Sequence, residues 1–136
     1  MSKIIDKLFV GSLDEAFNEI IIKDIHSMLN VASELDLLPR IKHNYKKINI
    51  NDDDPNEDIT KHINEAVEWI DKEIKQGNNV LVHCLEGRSR SVCICIAYLT
   101  VKQNYTYEDA INHLTLYAKY YDPYPLYLEQ LRLKLK

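Results

Sequence analysis

The sequence of 136 residues has few of the features that mark secreted, membrane-bound or fibrous proteins. No run of about 18 apolar residues occurs, which argues against a membrane-spanning helix. The three cysteines lie between positions 84 and 95, too few and too clustered for a disulfide framework. The first residues lack the apolar segment of a secretory signal and the glycine of a myristoylation site, and the last residues form no prenylation motif. We therefore expect a soluble domain in the cytoplasm that, at this size, also has access to the nucleus.

Composition and charge describe one ordinary domain. Apolar residues make up 46% and charged residues 28% of the chain, which is enough to bury a core and argues against disorder. The length leaves room for a single domain, residues 1–136. The net charge is −4 and the pI is near 5.7. This balance argues against nucleic acid or an anionic membrane as the main partner, because such partners bind basic surfaces. The oligomeric state is left open.

The pattern of apolar residues predicts short strands that alternate with helices. The predicted strands are 7–11 (an edge strand), 28–32, 45–50 and 80–82. A helical turn is predicted over 20–25 and a loop over 35–44. The predicted helices are 59–74, 91–102, 106–117 and 126–135. This alternation predicts a single-domain α/β fold with a largely parallel sheet.

The segment from Val80 to Val92 carries the chemistry. A short apolar strand ends at Cys84, a loop containing Gly87 follows, and an apolar helix begins near Ser91. Backbone N–H groups at the start of such a helix bind anions, and Arg90 adds a fork of donors that suits phosphate. The same positive field favours the thiolate form of Cys84, which would then be a nucleophile aimed at a bound phosphorus. The alternative is a buried structural cysteine, but two arginines at a helix N-terminus are unfavourable unless an anion binds there.

The segment His83-Cys84-Leu-Glu-Gly87-Arg-Ser89-Arg90-Ser91 resembles the signature loop of the cysteine-dependent protein tyrosine phosphatases, His-Cys-x5-Arg-Ser/Thr. The Gly-x-Ser-Arg-Ser part is similar to the dual-specificity phosphatases, and other stretches along most of the chain resemble their strands. The resemblance implies a small atypical member of that family. It also implies the phosphotyrosine protein phosphatase-like fold, a mostly parallel sheet of about five strands flanked by helices.

This resemblance implies residue roles. Cys84 is the expected nucleophile and Arg90 the phosphate-binding cation, while Ser91 hydrogen-bonds the departing thiolate. The phosphate is expected to lie against the loop residues Leu85, Glu86, Gly87, Arg88, Ser89 and Arg90. His83 is expected to order the loop rather than to transfer protons. No metal or cofactor is expected, since the remaining histidines at 26, 43, 62 and 113 are scattered and are interpreted as surface or core residues.

An acidic run, residues 51–58, supplies the general acid that must protonate the leaving oxygen. The family usually carries this acid as Asp-x-Pro about thirty residues before the cysteine, a pattern that Asp53 fits best. Asp52 and Asp54 are the alternatives. Most of the other carboxylates in the run are expected to be solvated or to favour the N-terminus of the next helix.

The expected function is hydrolysis of phosphate monoesters on phosphoproteins, at phosphotyrosine and phosphoserine or phosphothreonine, through a phosphocysteine intermediate. The alternatives are a pseudophosphatase that only binds phosphoprotein, and a phosphatase of RNA 5′-triphosphate or phosphoinositide. Two positions depart from the family pattern. Glu86 replaces the usual alanine, so it must face solvent or pair with a cation such as Arg88, and Tyr124 replaces an asparagine whose hydrogen bond to the loop must come from elsewhere.

Overall fold

The computed structural model describes residues 1–36 and 43–135, so most of the loop predicted over 35–44 lies outside the described residues. Strands and helices alternate along these ranges. The strands are β1 Ser2–Ile5, β2 Leu8–Gly11, β3 Ser27–Asn30, β4 Asn44–Lys47 and β5 Val80–His83. The helices are α1 Leu13–Ala16, α2 Ile63–Lys75, α3 Arg90–Lys102, α4 Tyr107–Tyr117 and α5 Pro125–Lys134, and a 3₁₀ turn, Ile59–His62, precedes α2.

The strands form one five-stranded sheet in the order β1-β2-β5-β3-β4. Only β1 runs antiparallel to its neighbour; the other three pairings are parallel. The predicted α/β fold with a mostly parallel sheet is therefore confirmed. Every residue of β5 is buried, as expected for a central parallel strand covered on both faces. Cys84 follows the carboxyl end of β5, so it lies at the centre of the side of the sheet where the parallel strands end.

Three details of the prediction are wrong. Strand β2 is an interior strand, because Ser2–Ile5 pairs with the side that was expected to be free. Strand β3 is Ser27–Asn30 rather than 28–32; residues 20–24 do form turns, and the helix before them is the single turn of α1, whose N-cap Ser12 forms a capping box with Glu15. Strand β4 ends at Lys47 rather than at position 50.

Helix α3 is the central helix of the core. Its residues from Arg90 to Leu99 are all buried, whereas α2 has a buried face and an exposed face. Cys93 and Cys95 have no exposed surface, and burial raises the pKa of both thiols. They are therefore protonated packing residues of the core. Among the helices of the described ranges, none is long and apolar enough to cross a membrane.

A buried carboxylate on α2 ties this helix to the sheet. Glu73 accepts hydrogen bonds from the Ser27 hydroxyl at 2.6 Å and from the Asn44 side chain at 2.8 Å. Burial opposes the charge of Glu73, but these donors and that of Asn78 outweigh it and hold the pKa of its carboxyl below the usual value. Glu73 therefore stabilises the packing of α2 against β3 and β4 while it is ionised.

Candidate active site

Cys84 lies at the base of a loop that joins β5 to α3. Cys84 is buried, with 3% of the residue exposed. Backbone hydrogen bonds hold both sides of the strand end: the Val31 N–H donates to the His83 carbonyl, and the Leu13 N–H donates to the Leu85 carbonyl, each at 3.0 Å. The first amides of α3 have no carbonyl partner within the helix, so their positive ends are available to an anion beside Cys84.

Gly87 allows this loop to pack against the end of β2. Its φ is +74°, and a Cβ at this position would lie 2.7 Å from the Gly11 carbonyl carbon and 2.8 Å from the Ser12 nitrogen. Only glycine fits both the left-handed backbone and the close approach. The loop is therefore held in its curled form by contact with β2 and the cap of α1.

The segment before α5 supports the other side of the loop. The Asp122 N–H donates to the Arg88 carbonyl and the Tyr124 N–H donates to the Ser89 hydroxyl, both at 2.9 Å. Tyr124 stands where the family pattern described above has an asparagine. Its backbone amide supplies a hydrogen bond to the loop that does not depend on the side chain, which explains how the departure is accommodated.

Two polar neighbours surround the Cys84 sulfur and its peptide. The Ser91 Oγ lies 3.1 Å from the Cys84 Sγ, within hydrogen-bond distance, and is completely buried. The His83 Nδ1 lies 3.3 Å from the Cys84 carbonyl oxygen. Burial lowers the pKa of His83, so the ring is neutral near pH 7 and donates to that carbonyl. Ser91 thus contacts the sulfur itself, and His83 contacts only the backbone.

Arg90 is a buried cation held in a fixed orientation. Its Nη1 and Nη2 each donate to one oxygen of Glu34 at 2.6 Å, and Nη1 also donates to the Ile50 carbonyl at 2.9 Å. Burial disfavours the guanidinium charge, but Glu34 and the nearby Asp52 raise the pKa of Arg90 nonetheless. In return, the hydrogen bonds from Arg90 lower the pKa of Glu34. The bidentate pair fixes the plane of the guanidinium.

The three consecutive aspartates of the acidic run have different surroundings. The Asp52 Oδ2 lies 2.9 Å from the Arg90 Nε, and its Oδ1 accepts a 2.7 Å hydrogen bond from Tyr127. Asp54 accepts from the backbone N–H of Asn56 at 2.9 Å. Asp53 lines the same pocket as Cys84, and within the described ranges no hydrogen bond or ion pair engages its carboxylate.

Helix α5 anchors this acidic run at two points. One is the hydrogen bond from Tyr127 to Asp52. The other is the Gln130 amide, whose oxygen accepts from the Ile59 N–H at 2.9 Å and whose nitrogen donates to the Glu57 carbonyl at 3.0 Å. The run is therefore fixed relative to the Cys84 loop by side chains from a third element.

The residues above surround an open pocket of about 400 Å³. It is lined by Glu34, Asp52, Asp53, Cys84, Leu85, Glu86, Arg88, Ser89 and Arg90. Glu86 forms an ion pair with Arg88 at its rim, one of the two arrangements that the sequence allowed. Of the predicted site residues, Gly87 and Ser91 are not among those that line the pocket; Gly87 packs against the end of β2 and Ser91 contacts the Cys84 sulfur. Glu34, Tyr127 and Gln130 were not identified from the sequence. In the ranges 1–36 and 43–135 no cluster of three or more histidine, cysteine or acidic side chains could hold a metal ion.

Comparison with known proteins identifies the family. Residues 8–135 match the family model "Dual specificity phosphatase, catalytic domain". Dual specificity protein phosphatase 1B of Arabidopsis thaliana is 34% identical over 134 residues, covering 97% of this chain and 80% of that protein. Dual specificity protein phosphatase 1 of the same plant is 36% identical over 110 residues, covering 79% of this chain and 54% of that protein.

Other relatives are longer, and solved structures share the fold. The chain spans 22% of a probable rhodanese domain-containing dual specificity protein phosphatase of Dictyostelium discoideum, which is 36% identical over 107 residues, 77% of this chain. The crystal structure of human DUSP28 superposes with a TM-score of 0.89 at 23% identity, covering 98% of this chain and 91% of that one. The fold, the loop around Cys84 and the match over residues 8–135 lead to one conclusion: the chain belongs to the dual specificity phosphatases, a family of protein tyrosine phosphatase-type hydrolases.

Proposed function

We propose that the protein hydrolyses phosphate monoesters on phosphoproteins, at phosphotyrosine and at phosphoserine or phosphothreonine, through a phosphocysteine intermediate. The observation that carries the proposal is the placement of the Cys84 sulfur at a helix N-terminus, beside Ser91 and the buried guanidinium of Arg90. A cation, helix amides and a sulfur nucleophile around one pocket are the groups that phosphoryl transfer to cysteine requires.

In the first step the Cys84 thiolate attacks phosphorus in line with the leaving oxygen. Arg90 and the amides of residues 85–90 hold the other three oxygens while the phosphorus–oxygen bond breaks. Asp53 donates its proton to the leaving oxygen, so an alcohol or phenol departs. The assignment of Asp53 is supported by its place in the pocket wall with a carboxylate that no described side chain engages.

In the second step water attacks phosphorus and the bond to Cys84 breaks. Asp53, now ionised, accepts the proton of the water, and inorganic phosphate is released. Ser91 hydrogen-bonds the departing thiolate, which the 3.1 Å distance between Oγ and Sγ allows. The loop residues Leu85, Glu86, Arg88 and Ser89 form the wall against which the substrate lies.

The function is tested with an aryl phosphate in excess chelator and fresh thiol, with the unaltered protein beside Cys84→Ser. We expect turnover by the unaltered protein alone. Turnover by Cys84→Ser would rule out the nucleophile assignment. Failure of both proteins to turn over, with tungstate still bound, would indicate either a phosphate-binding protein without phosphatase activity or a pocket closed to small aryl substrates.

The acid is tested with Asp53→Asn. This variant should lose rate with alkyl phosphates and retain it with aryl phosphates whose leaving group needs no proton. If Asp52→Asn or Asp54→Asn shows that pattern instead, the acid is the neighbouring residue and the assignment of Asp53 is wrong.

A further inference from the structure

The carboxylate of Asp52 is held between two partners on opposite sides. Its Oδ2 lies 2.9 Å from the Arg90 Nε, and its Oδ1 accepts a hydrogen bond of 2.7 Å from the Tyr127 hydroxyl. Tyr127 is 2% exposed, and burial together with Asp52 raises the pKa of its hydroxyl. The hydroxyl therefore stays protonated and continues to donate to Asp52. A buried side chain from α5 thus fixes the carboxylate beside Arg90.

The hydrogen bonds of Arg90 show which of its donors remain for a ligand. A guanidinium has five N–H groups. Glu34 takes one from Nη1 and one from Nη2, and the Ile50 carbonyl takes the second from Nη1. The remaining two N–H groups, one on Nε and one on Nη2, lie side by side along the same edge of the guanidinium plane. The Nε is buried and has no hydrogen-bond partner of good geometry among the described residues, although the Asp52 Oδ2 is near.

This unused edge is the part of Arg90 that can bind two oxygens of a phosphate side by side. Asp52 lies against it with a negative charge. The Asp52 oxygen lies 2.9 Å from Nε without accepting its N–H, so the edge stays open, but a phosphate dianion bound there would be repelled by that carboxylate.

We propose that Asp52 is a specificity-determining residue whose charge opposes phosphate binding at the free edge of Arg90, and that Tyr127 holds the carboxylate beside that edge. The proposal rests on the proposed function, because it concerns the same anion site. Phosphate bound at this edge is repelled by the charge of Asp52, and the same repulsion promotes the release of product phosphate. Asp52 thereby lowers the affinity of the loop for dianions.

The substitution Asp52→Asn removes the negative charge and keeps the shape of the side chain. Asparagine keeps an oxygen that can accept from Tyr127, and Glu34 and the Ile50 carbonyl still hold Arg90 in place. Removal of one like charge about 5 Å from a dianion, even with the dielectric constant of water, strengthens binding roughly 10- to 20-fold. A purely structural role would predict the opposite, since loss of an ion pair would loosen Arg90 and weaken binding.

Calorimetric titration of the full chain with tungstate, in chelator and fresh thiol at pH 7, tests the proposal. Asp52→Asn should lower the Kd about tenfold or more. Tyr127→Phe should lower it less, because Asp52 keeps its charge and loses only the hydrogen bond that holds it. The matched control is Asp6→Asn, which removes the same charge from an exposed turn between β1 and β2, at the opposite end of the parallel strands. Its Kd should stay within twofold of the unaltered value.

An unchanged or higher Kd for Asp52→Asn would overturn the proposal, as would an equal gain in Asp6→Asn. Aryl phosphate turnover, measured on the same samples, tests the proposed function separately. A protein that binds tungstate without turnover would contradict the expected turnover of aryl phosphate and still allow the affinities to decide the role of Asp52.

Discussion

Replacing Gly87 by alanine should disable the Cys84 loop while leaving the fold intact. The new Cβ would lie 2.7 Å from the Gly11 carbonyl carbon and 2.8 Å from two further backbone atoms, the Gly11 oxygen and the Ser12 nitrogen. None of these atoms belongs to a flexible side chain that could rotate away. The loop itself must therefore move.

The size of the effect has two parts. An alanine with a φ of +74° costs about 1–2 kcal/mol of backbone strain relative to glycine. Ordinary contact begins at 3.4 Å, so relief of the clash also requires the loop to move by several tenths of an ångström. A displacement of about 1 Å in a catalytic group costs about 100-fold in rate, so this smaller movement costs less. We expect kcat/KM for an aryl phosphate to fall roughly 10- to 30-fold.

The chain supplies a matched control in Gly77, which ends α2. Its φ is +86°, and an added Cβ there would meet nothing within 4 Å. Gly77→Ala therefore carries the same strain without the clash, at the end of the sheet away from Cys84. Thermal unfolding should show a loss of a few degrees in both variants and the larger loss in Gly87→Ala, which adds the clash, since about 1 kcal/mol corresponds to roughly 3–5 °C for a chain of this size. Only Gly87→Ala should lose activity.

Two results would refute this reasoning. If Gly87→Ala kept kcat/KM within threefold of the unaltered protein, the close approach to β2 would not determine the position of the loop. If Gly77→Ala lost as much activity as Gly87→Ala, the loss would follow from global destabilisation rather than from displacement of the loop.

The remaining predictions concern one catalytic and one structural contact. Ser91→Ala removes the hydroxyl 3.1 Å from the Cys84 sulfur. A charge-assisted hydrogen bond stabilises the departing thiolate by about 1.5–3 kcal/mol, so kcat should fall about 10- to 100-fold. The initial burst of phenol should become larger, because breakdown of the phosphocysteine is the step that slows. A rate without a burst would contradict this role. Glu73 has a lowered pKa in the folded protein, so its stabilisation is present above its unfolded pKa of about 4.5 and is lost as the pH falls through the lower folded value. The free energy of unfolding, measured with urea from pH 7 to pH 3, should be higher for the unaltered protein than for Glu73→Gln, and this difference should narrow below about pH 4.5. A difference that stays constant over this pH range would show that the charge does not contribute.

The parts of the site that follow one another along the chain could be predicted from the sequence. Strand β5, the loop with Gly87 and the start of α3 form one continuous segment, and its apolar pattern and turn residue specify that order. Strand β1 could not be predicted, because four residues with a single buried side chain give no alternating pattern. The position of β2 inside the sheet depends on β1 and was missed for the same reason.

The supporting contacts could not be predicted, because they join residues far apart in the sequence. Glu34 is 56 positions from Arg90, and Tyr127 is 75 positions from Asp52. No spacing rule connects such pairs, and each residue considered alone fits a surface or a core position equally well. They became apparent only when the sheet order placed the loop after β3 beside the loop after β5, and when α5 packed over the acidic run.

The anchoring of the acidic run by α5 has a consequence for the order of events during synthesis. The ribosome makes the acidic run and the Cys84 loop well before residues 125–134, which supply the Tyr127 and Gln130 contacts. A nascent chain that has emerged only as far as α4 lacks the Tyr127 and Gln130 contacts to the acidic run, and it also lacks Asp122 and Tyr124, whose backbone amides support the Cys84 loop. Assembly of the site is therefore completed by residues 122–134, and loss of α5 by proteolysis would remove the Tyr127 and Gln130 contacts and leave Asp52 beside Arg90 without its second partner.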